Sequence, residues 1–536
     1  MTSARLAALV VDELIALGVR DAVLCPGSRD APLSYALHRA EGADRLRLHV
    51  RVDERGAGFL ALGLAAAGGR PVPVACTSGT AAANLHPAVL EASHRGFPLL
   101  TLTADRPPEL TGSGANQTTD QQRLYGTATR WFVGLDSAVP EAARSVVARA
   151  VSWATGAFSA DPGPVQLNLA FREPLVAAAE DVPAVAPMRF PSPEQPPRPD
   201  QHGDVLPRTV LVAGDGAAPL AEGVRTAAVR HGWPILAEAS AGLGAAALPS
   251  GAVLLRDADW LAEHRPERVI VIGAPTLHRS VSQLLRAAAE VVVVSDGPRW
   301  ADAVGVARRV VRSNWLAGGT GRGDAQWLPA WTDAAAAVAM RVGAVVDGSW
   351  PSGLTVARTV FAALPADAAV QLGSSNPVRD VDLAAAPRDG VLAIANRGLA
   401  GIDGTLSSAV GLALGQSRPS YALVGDLTFL HDITALLIGP DEPRPDLTVV
   451  VVNDDGGGIF STLEQGAPEH AASFQRLFGT ATGADLAAFC AGAGVPHHMI
   501  EDRDELAGRV SEKPSGLQVL EVRCRRDMLR NLHAQL

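Results

Sequence analysis

The chain has 536 residues, of which 47% are hydrophobic and 19% charged, with a net charge of −10. That much apolar material excludes bulk disorder and suffices for about three domains of ordinary size. The acidic balance argues against a protein that coats nucleic acid.

All but one of the 46 Lys and Arg residues are arginine, Lys513 being the exception. A GC-rich coding bias accounts for most of them. A guanidinium is required only where a planar, permanently charged fork matters. Cys25, Cys76, Cys490 and Cys524 are scattered without CxxC spacing, which disfavours a zinc site or a disulfide framework and fits a reducing, cytoplasmic setting. The first residues lack the basic start and apolar core of a signal peptide, and residues 71–90, free of charge, are broken by prolines and polar groups. No membrane span is expected.

From the N-terminus, residues 4–17 carry a helical apolar pattern. Pro26-Gly27-Ser28-Arg29 follows a strand-like run, and His49-Val50-Arg51-Val52-Asp53-Glu54 leads into a helix of small apolar residues. An acid at a helix start is, taken alone, only a favourable partner for the helix dipole. The strand at 72–75 runs into the hydroxyl-rich Cys76-Thr77-Ser78-Gly79-Thr80 turn, and the strand at 99–103 into Asp105-Arg106-Pro107-Pro108. A helix covers 141–154. Polar loops repeatedly placed after strands predict a shared rim at one edge of a parallel sheet.

Residues 182–207 hold too many prolines for helix or central strand and read as an extended linker. Strand-like runs at 210–212, 269–272 and 291–294 define a middle block. Its Gly214-Asp215-Gly216 turn has no carboxylate or carboxamide at the matching distance downstream, where Ser240-Ala241-Gly242-Leu243-Gly244 stands. That turn is read as architectural. A softer boundary falls at 347–353. The alternation of β-branched and Ala/Leu-rich runs predicts an α/β chain of three doubly wound parallel-sheet domains, at 1–181, 208–346 and 353–536.

The last block carries the strongest chemistry. A strand at 422–424 enters Gly425-Asp426-Leu427-Thr428 and a helix through Leu436. A strand at 448–452 then enters Asn453-Asp454-Asp455-Gly456-Gly457-Gly458. Asp426 and Asp454 each sit just past a strand end, separated by one crossover, so a parallel sheet brings both to one rim. Two carboxylates there suit Mg²⁺ shared with ligand phosphates. The glycines admit close backbone approach, and the helix start offers amides to a phosphate. Singly, each motif is also an ordinary polar turn.

These motifs together resemble the thiamine diphosphate enzymes of the pyruvate-oxidase type. Cys25-Pro26-Gly27-Ser28-Arg29, Asp53-Glu54-Arg55-Gly56, Thr77-Ser78-Gly79-Thr80, Asp105-Arg106-Pro107-Pro108, Gly114-Ala115-Asn116-Gln117, Asn396-Arg397-Gly398, Gly401-Ile402-Asp403-Gly404 and Gly456-Gly457-Gly458-Ile459-Phe460 are similar to the branch of menaquinone biosynthesis, the MenD family. The resemblance spans nearly the whole chain and is weakest in the middle block and linker. It implies a pyrimidine-binding first domain, an architectural central domain and a diphosphate-binding last domain. The implied metal is Mg²⁺ or Mn²⁺, held by Asp426, Asp454 and the Gly456 carbonyl. Many relatives have Asn-Asn where this chain has Asn453-Asp454, which adds a charge beside the metal.

The resemblance further implies that Glu54 bonds the aminopyrimidine, so that the cofactor's own amine takes the C2 proton and the thiazolium becomes a carbon nucleophile. Ile402 holds the cofactor bent, and Pro26, Thr77, Asn84, Leu427, Thr428 and Gly457 complete its site. The implied reaction decarboxylates 2-oxoglutarate and adds the remaining carbanion to isochorismate. Arg29, Arg106, Arg379 and Arg397 then match two dicarboxylates. Ser28, Asn116, Gln117 and Ser375 bond them, and Ile459, Phe460 and Leu463 form an apolar wall. Gln117 and Arg397 join Glu54 as catalytic candidates. A homodimer or homotetramer with the site at the subunit interface is expected. A 2-oxoacid decarboxylase, an acetohydroxyacid synthase and a non-catalytic cofactor carrier stay open as rivals.

Overall fold

The computed structural model describes residues 3–177, 186, 188–190, 208–319 and 323–536. The proline-rich stretch 182–207 lies outside the described residues except for 186 and 188–190.

Runs of β-branched residues, apolar on both faces, can only be buried on both faces, and they collect into three parallel sheets. The first contains β1 (Asp21–Leu24), β2 (Arg47–Val50), β3 (Val72–Cys76), β4 (Leu99–Asp105), β5 (Trp131–Asp136) and β6 (Val165–Ala170). The second contains β7 (Thr209–Ala213), β8 (Ile235–Ala237), β9 (Arg268–Ile272), β10 (Glu290–Val294) and β11 (Arg309–Val311). The third contains β12 (Ala369–Leu372), β13 (Leu392–Ala395), β14 (Ser420–Gly425), β15 (Leu447–Asn453), β16 (His497–Met499) and β17 (Leu517–Arg523). Every strand-like run named from the sequence falls inside one of these strands.

The strand orders are β2-β1-β3-β4-β6-β5, β11-β10-β9-β7-β8 and β13-β12-β14-β15-β17-β16. The first and third sheets thus share one winding order, a duplication with no visible trace as a sequence repeat. In each, the order reverses at the first strand. The crevices between β1 and β3 and between β12 and β14 are therefore switch points, where parallel sheets bind ligands.

The chain forms two compact units. One takes in residues 1–194 together with 396–417 and 431–446; the other takes in 195–395, 418–430 and 447–536. In the first unit, the Glu54–Gly68 helix packs along the Thr405–Gly415 helix. Their backbones approach so closely that a Cβ on Gly63 would lie 2.2 Å from the Ser408 carbonyl oxygen, and one on Gly411 2.3 Å from that of Leu60. Small residues on both helices are what allow this contact. Four cysteines are free, three of them buried. No helix among the described residues is long and apolar enough to cross a membrane.

One sequence expectation is corrected. The helix entered at Asp426 does not continue through Leu436. It runs from Asp426 to His431, stops at Asp432, and resumes as a 3₁₀ turn over Ile433–Leu436. Asp432 explains the break. It is fully buried and accepts from the Ser407 backbone N–H at 2.7 Å and from the Ser407 hydroxyl at 3.1 Å, an interaction unavailable to a side chain on a continuous surface helix.

Burial pushes the Asp432 carboxyl up to about 6 from an ordinary 3.8, against the lowering effect of Ser407 and Arg55. A raised carboxyl stabilises the fold fully below its unfolded value and loses that contribution as pH rises through about 6. Asp432→Asn mimics the protonated form at every pH. Chemical denaturation should therefore show wild type losing up to about 3 kcal/mol relative to Asp432→Asn between pH 4 and pH 7. A pH-independent difference would contradict the assignment.

Candidate functional site

In the first unit, the predicted loops gather at the C-terminal rim of the first sheet. The turn after β1 abuts the turn after β3: a Cβ on Gly27 would lie 2.5 Å from Thr77 Cβ. Asp30, fully buried, accepts from the Gly27 N–H at 2.7 Å and shapes the Pro26-Gly27-Ser28-Arg29 loop. Glu54 opens its helix immediately after Asp53, whose carboxylate caps the Arg55 N–H at 3.0 Å and accepts from Thr434 Oγ1 at 2.6 Å. Burial and then the Glu54 charge push the Cys25 thiol up. Burial also raises the Asp30 carboxyl to about 7, with Glu54 adding to the effect. Glu54 therefore stands electrostatically beside the end of β1, at the switch point.

Arg106 reaches across the same rim. Its Nη1 donates to Ser78 Oγ and, at 2.8 Å, to the Gln117 carbonyl. Gln117 sits at φ +55° and returns a bond from Nε2 to the Ser78 carbonyl at 2.9 Å. Arg29 donates to the Phe171 carbonyl at 3.0 Å and lies 3.9 Å from Glu173. Burial, and next the charge of Arg29, lower the Arg106 guanidinium. Two cations within electrostatic reach of each other are a feature that a dianion would relieve. Ser28 and Asn116 are exposed at this rim, and Asn84 is exposed at the far end of the Thr80–Asn84 helix. Arg397 is buried in the Asn396-Arg397-Gly398 turn, and Ile402 is half-buried just beyond it.

The second unit holds the other predicted cluster. β14 and β15 pair in parallel with Gly425 opposite Val452, so Asp426 and Asp454 emerge at one rim, as expected. Asp426 is buried and accepts from the Leu427 and Gly456 backbone N–H groups, yet burial still raises it to about 6. Burial and then the Asp426 charge raise Asp454 to about 7, opposed by Arg526. Asp426 Oδ2 is buried with no hydrogen-bond partner. Among the described residues no three His, Cys, Asp or Glu side chains form a metal cage. A buried and a half-buried carboxylate with an orphaned oxygen are the donor set of a cation that takes its remaining ligands from backbone, water and phosphate. The residues present fit Mg²⁺.

The Gly456-Gly457-Gly458 turn has no room for side chains. Added Cβ atoms would lie 1.9 Å from the Gly479 carbonyl, 2.1 Å from that of Phe478 and 1.8 Å from Asp454 Oδ2. Gly457 N–H bonds the Gly479 carbonyl at 2.8 Å, and Arg526 Nη1 ties the Asp455 and Gly479 carbonyls together at 2.6 and 2.7 Å. Leu427 and buried Thr428 lie in the first turn after Asp426. Ile459 and Phe460 lie on the short Gly458–Ser461 helix with Leu463 two residues beyond it, and the Phe460 ring packs on Phe478 at 5.6 Å. Ser375, at φ +78°, opens the Asn376–Ala384 helix at the β12 side of the switch point, where Arg379 Nη1 bonds its carbonyl at 2.6 Å.

Three supporting residues escaped the sequence reading. Gln121, fully buried, accepts from the Gly79 N–H at 2.8 Å and donates to the Ala104 carbonyl and Asn168 Oδ1, locking the Thr77–Ser78–Gly79 loop. It lies in a polar stretch that reads as surface. Asp380, buried behind Asp454, is held well above the carboxylate range by burial and by the Asp454 charge. The β12–β14 and β14–β15 pairings bring the two to one side of the sheet. Arg526 comes from the C-terminal segment, with no motif around it. A separate cleft of about 880 Å³, open at its mouth, lies beside the ends of β7 and β8 and is lined by Glu238, His278, Asp382 and Arg388. It contains none of the predicted site residues.

Residues 4–124 match the family model for the thiamine pyrophosphate enzyme N-terminal TPP-binding domain. Over 99% of its length the chain is 48% identical to a 2-succinyl-5-enolpyruvyl-6-hydroxy-3-cyclohexene-1-carboxylate synthase of Saccharopolyspora erythraea, covering 97% of that protein. Synthases of the same name from Nocardia farcinica and Kineococcus radiotolerans are each 46% identical, over 98% of this chain and 97% of theirs. Full-length similarity at this level, on a chain with the paired switch points and the Asp426–Asp454 rim, places the protein in the family of thiamine diphosphate-dependent 2-succinyl-5-enolpyruvyl-6-hydroxy-3-cyclohexene-1-carboxylate synthases.

Proposed function

We propose that the chain decarboxylates 2-oxoglutarate and joins the resulting four-carbon unit to isochorismate. The observation that carries this reading is the pair of carboxylates at adjacent strand ends, Asp426 buried with its Oδ2 unpartnered and Asp454 half-buried, in a chain so similar to synthases of that product. Thiamine diphosphate, when bound, supplies the carbon nucleophile and the electron sink for decarboxylation.

The protein's own residues have distinct tasks in this reading. Asp426, Asp454 and the Gly456 carbonyl hold Mg²⁺ or Mn²⁺ against the diphosphate. Leu427, Thr428 and Gly457 line the diphosphate's bed, and Pro26, Thr77, Asn84 and Ile402 contact the rest of the cofactor. Glu54 accepts a hydrogen bond from the aminopyrimidine and so sets its protonation state. Arg29, Arg106, Arg379 and Arg397 bind carboxylates, with Ser28, Asn116, Gln117 and Ser375 orienting them. Ile459, Phe460 and Leu463 exclude water. The two cations at the first rim, Arg29 and Arg106, favour a dianionic substrate over the monoanionic oxoacid of a simple decarboxylase. The active assembly is a homodimer or homotetramer in which subunits complete each other's sites, and the enzyme works in the cytoplasm.

Three measurements test this. With thiamine diphosphate and Mg²⁺, 2-oxoglutarate should be turned over to the joined product only when isochorismate is present; product formation confined to another oxoacid or aldehyde acceptor would sink the assignment. Glu54→Gln should lower kcat by about 10²–10⁴-fold, the usual worth of positioned acid–base help, with cofactor affinity nearly unchanged; retained turnover would remove Glu54 from the acid–base role, and biological function left intact by a variant without turnover would favour a non-catalytic carrier. Asp426→Ala should abolish Mg²⁺-dependent retention of the cofactor in equilibrium dialysis, and full retention by this variant would remove Asp426 from the metal site.

A further inference from the structure

The Asn396-Arg397-Gly398 turn is held from an unexpected direction. Glu91, on the His86–Arg95 helix, is 3% exposed and points its carboxylate at this turn. Oε1 accepts from the Gly398 N–H at 2.8 Å and Oε2 from the Leu399 N–H at 2.9 Å. A buried carboxylate bridging two successive amides is a charge-assisted, geometrically specific clamp.

Contact with the helix is tight at one point. A Cβ on Gly398 would lie 2.8 Å from His94 Cβ and 3.1 Å from Glu91 Oε1. The turn borders a cleft of about 500 Å³ lined by Phe59, Leu90, Glu91, Asn396, Leu399 and Asp403, and Leu399 is 52% exposed while Asn396 and Arg397 are buried. Hydrogen bonds help to fix the turn. Asn396 supplies one, from Nδ2 to Ser408 Oγ at 3.3 Å, and Glu91 supplies the two shorter ones.

Charge gives Glu91 a second task. Arg95, one helical turn beyond it, is buried. Burial lowers its guanidinium to about 10, while the Glu91 charge opposes that effect and the Arg397 charge adds to it. Arg95 and Arg397 are thus like-charged neighbours in a poorly solvated place, with the Glu91 carboxylate close to both.

We propose that Glu91 is a positioning residue for substrate binding: by clamping the Gly398 and Leu399 amides, it fixes the turn that presents Arg397 and offsets the repulsion between Arg397 and Arg95. This rests on the reading of Arg397 as a carboxylate-binding residue. A glutamine at 91 would keep one acceptor, place an NH₂ against the second amide and remove the negative charge. An aspartate would keep the charge but fall short of spanning both amides.

The test is a double-mutant cycle on the holoenzyme with Glu91→Gln, Arg397→Ala and the combination. It reads kcat/KM for the dicarboxylate substrate that Arg397→Ala impairs most. Glu91→Gln should lower that kcat/KM at least tenfold, mainly through KM, with thiamine diphosphate affinity within twofold of wild type. In the Arg397→Ala background the same change should cost less than threefold, because a residue that acts through Arg397 has little left to position. Equal losses in both backgrounds, or a loss confined to the active fraction with KM unchanged, would mean a structural role and overturn the proposal. If Glu91→Gln does not fold, Glu91→Asp replaces it in the cycle under the same criteria. An unimpaired Arg397→Ala enzyme refutes the role of Arg397 and the proposal with it; an impaired Arg397→Ala beside an unimpaired Glu91→Gln refutes the proposal alone.

Discussion

Everything at the Asp426–Asp454 rim follows from a repulsion. Parallel pairing of β14 and β15 forces Asp426 and Asp454 out at one rim, and burial makes each costly to ionise while the charge of Asp426 raises Asp454 further. Such a pair is poorly tolerated in a fold unless something cationic offsets it. The surrounding structure is built to keep the pair in place. Backbone amides at Leu427 and Gly456 support Asp426, Arg526 draws the Gly456 turn against Gly479, and the glycines leave no volume for alternatives.

The other rim has the opposite sign. Burial and then the charge of Arg29 lower the Arg106 guanidinium, and the loops around it are locked by residues with no charge to offer, Gln121 and Ser78 above all. The net charge of −10 makes this local reversal more significant. Any anion approaches an acidic protein against its long-range field, which salt screens beyond about a Debye length of 8–10 Å; close to this rim the guanidiniums of Arg29 and Arg106 set the opposite sign.

The parallel sheets were legible because fully buried strands leave an unmistakable apolar signature. The Asp426–Asp454 rim was legible because strand, turn, crossover and strand follow one another without interruption. Three features were not. The equal winding of the first and third sheets is a property of strand order, which no residue pattern records. The break at Asp432 depends on Ser407, twenty-five residues away in sequence. Glu91 meets the Arg397 turn, and Asp380 feels the charge of Asp454, only because distant segments come together in space. Local pattern predicts local structure, whereas a buried charge is explained by whatever the fold brings beside it.

The first compact unit borrows residues 396–417 and 431–446 from the far end of the chain. Both are crossovers that leave the third sheet and return to it. Neither end of the polypeptide is therefore a module in the sense that matters for gene fusion, truncation or domain exchange. A fragment ending before residue 396 would expose the small-residue face of the Glu54–Gly68 helix, and a fragment beginning at 353 would carry two crossovers stripped of their packing partner.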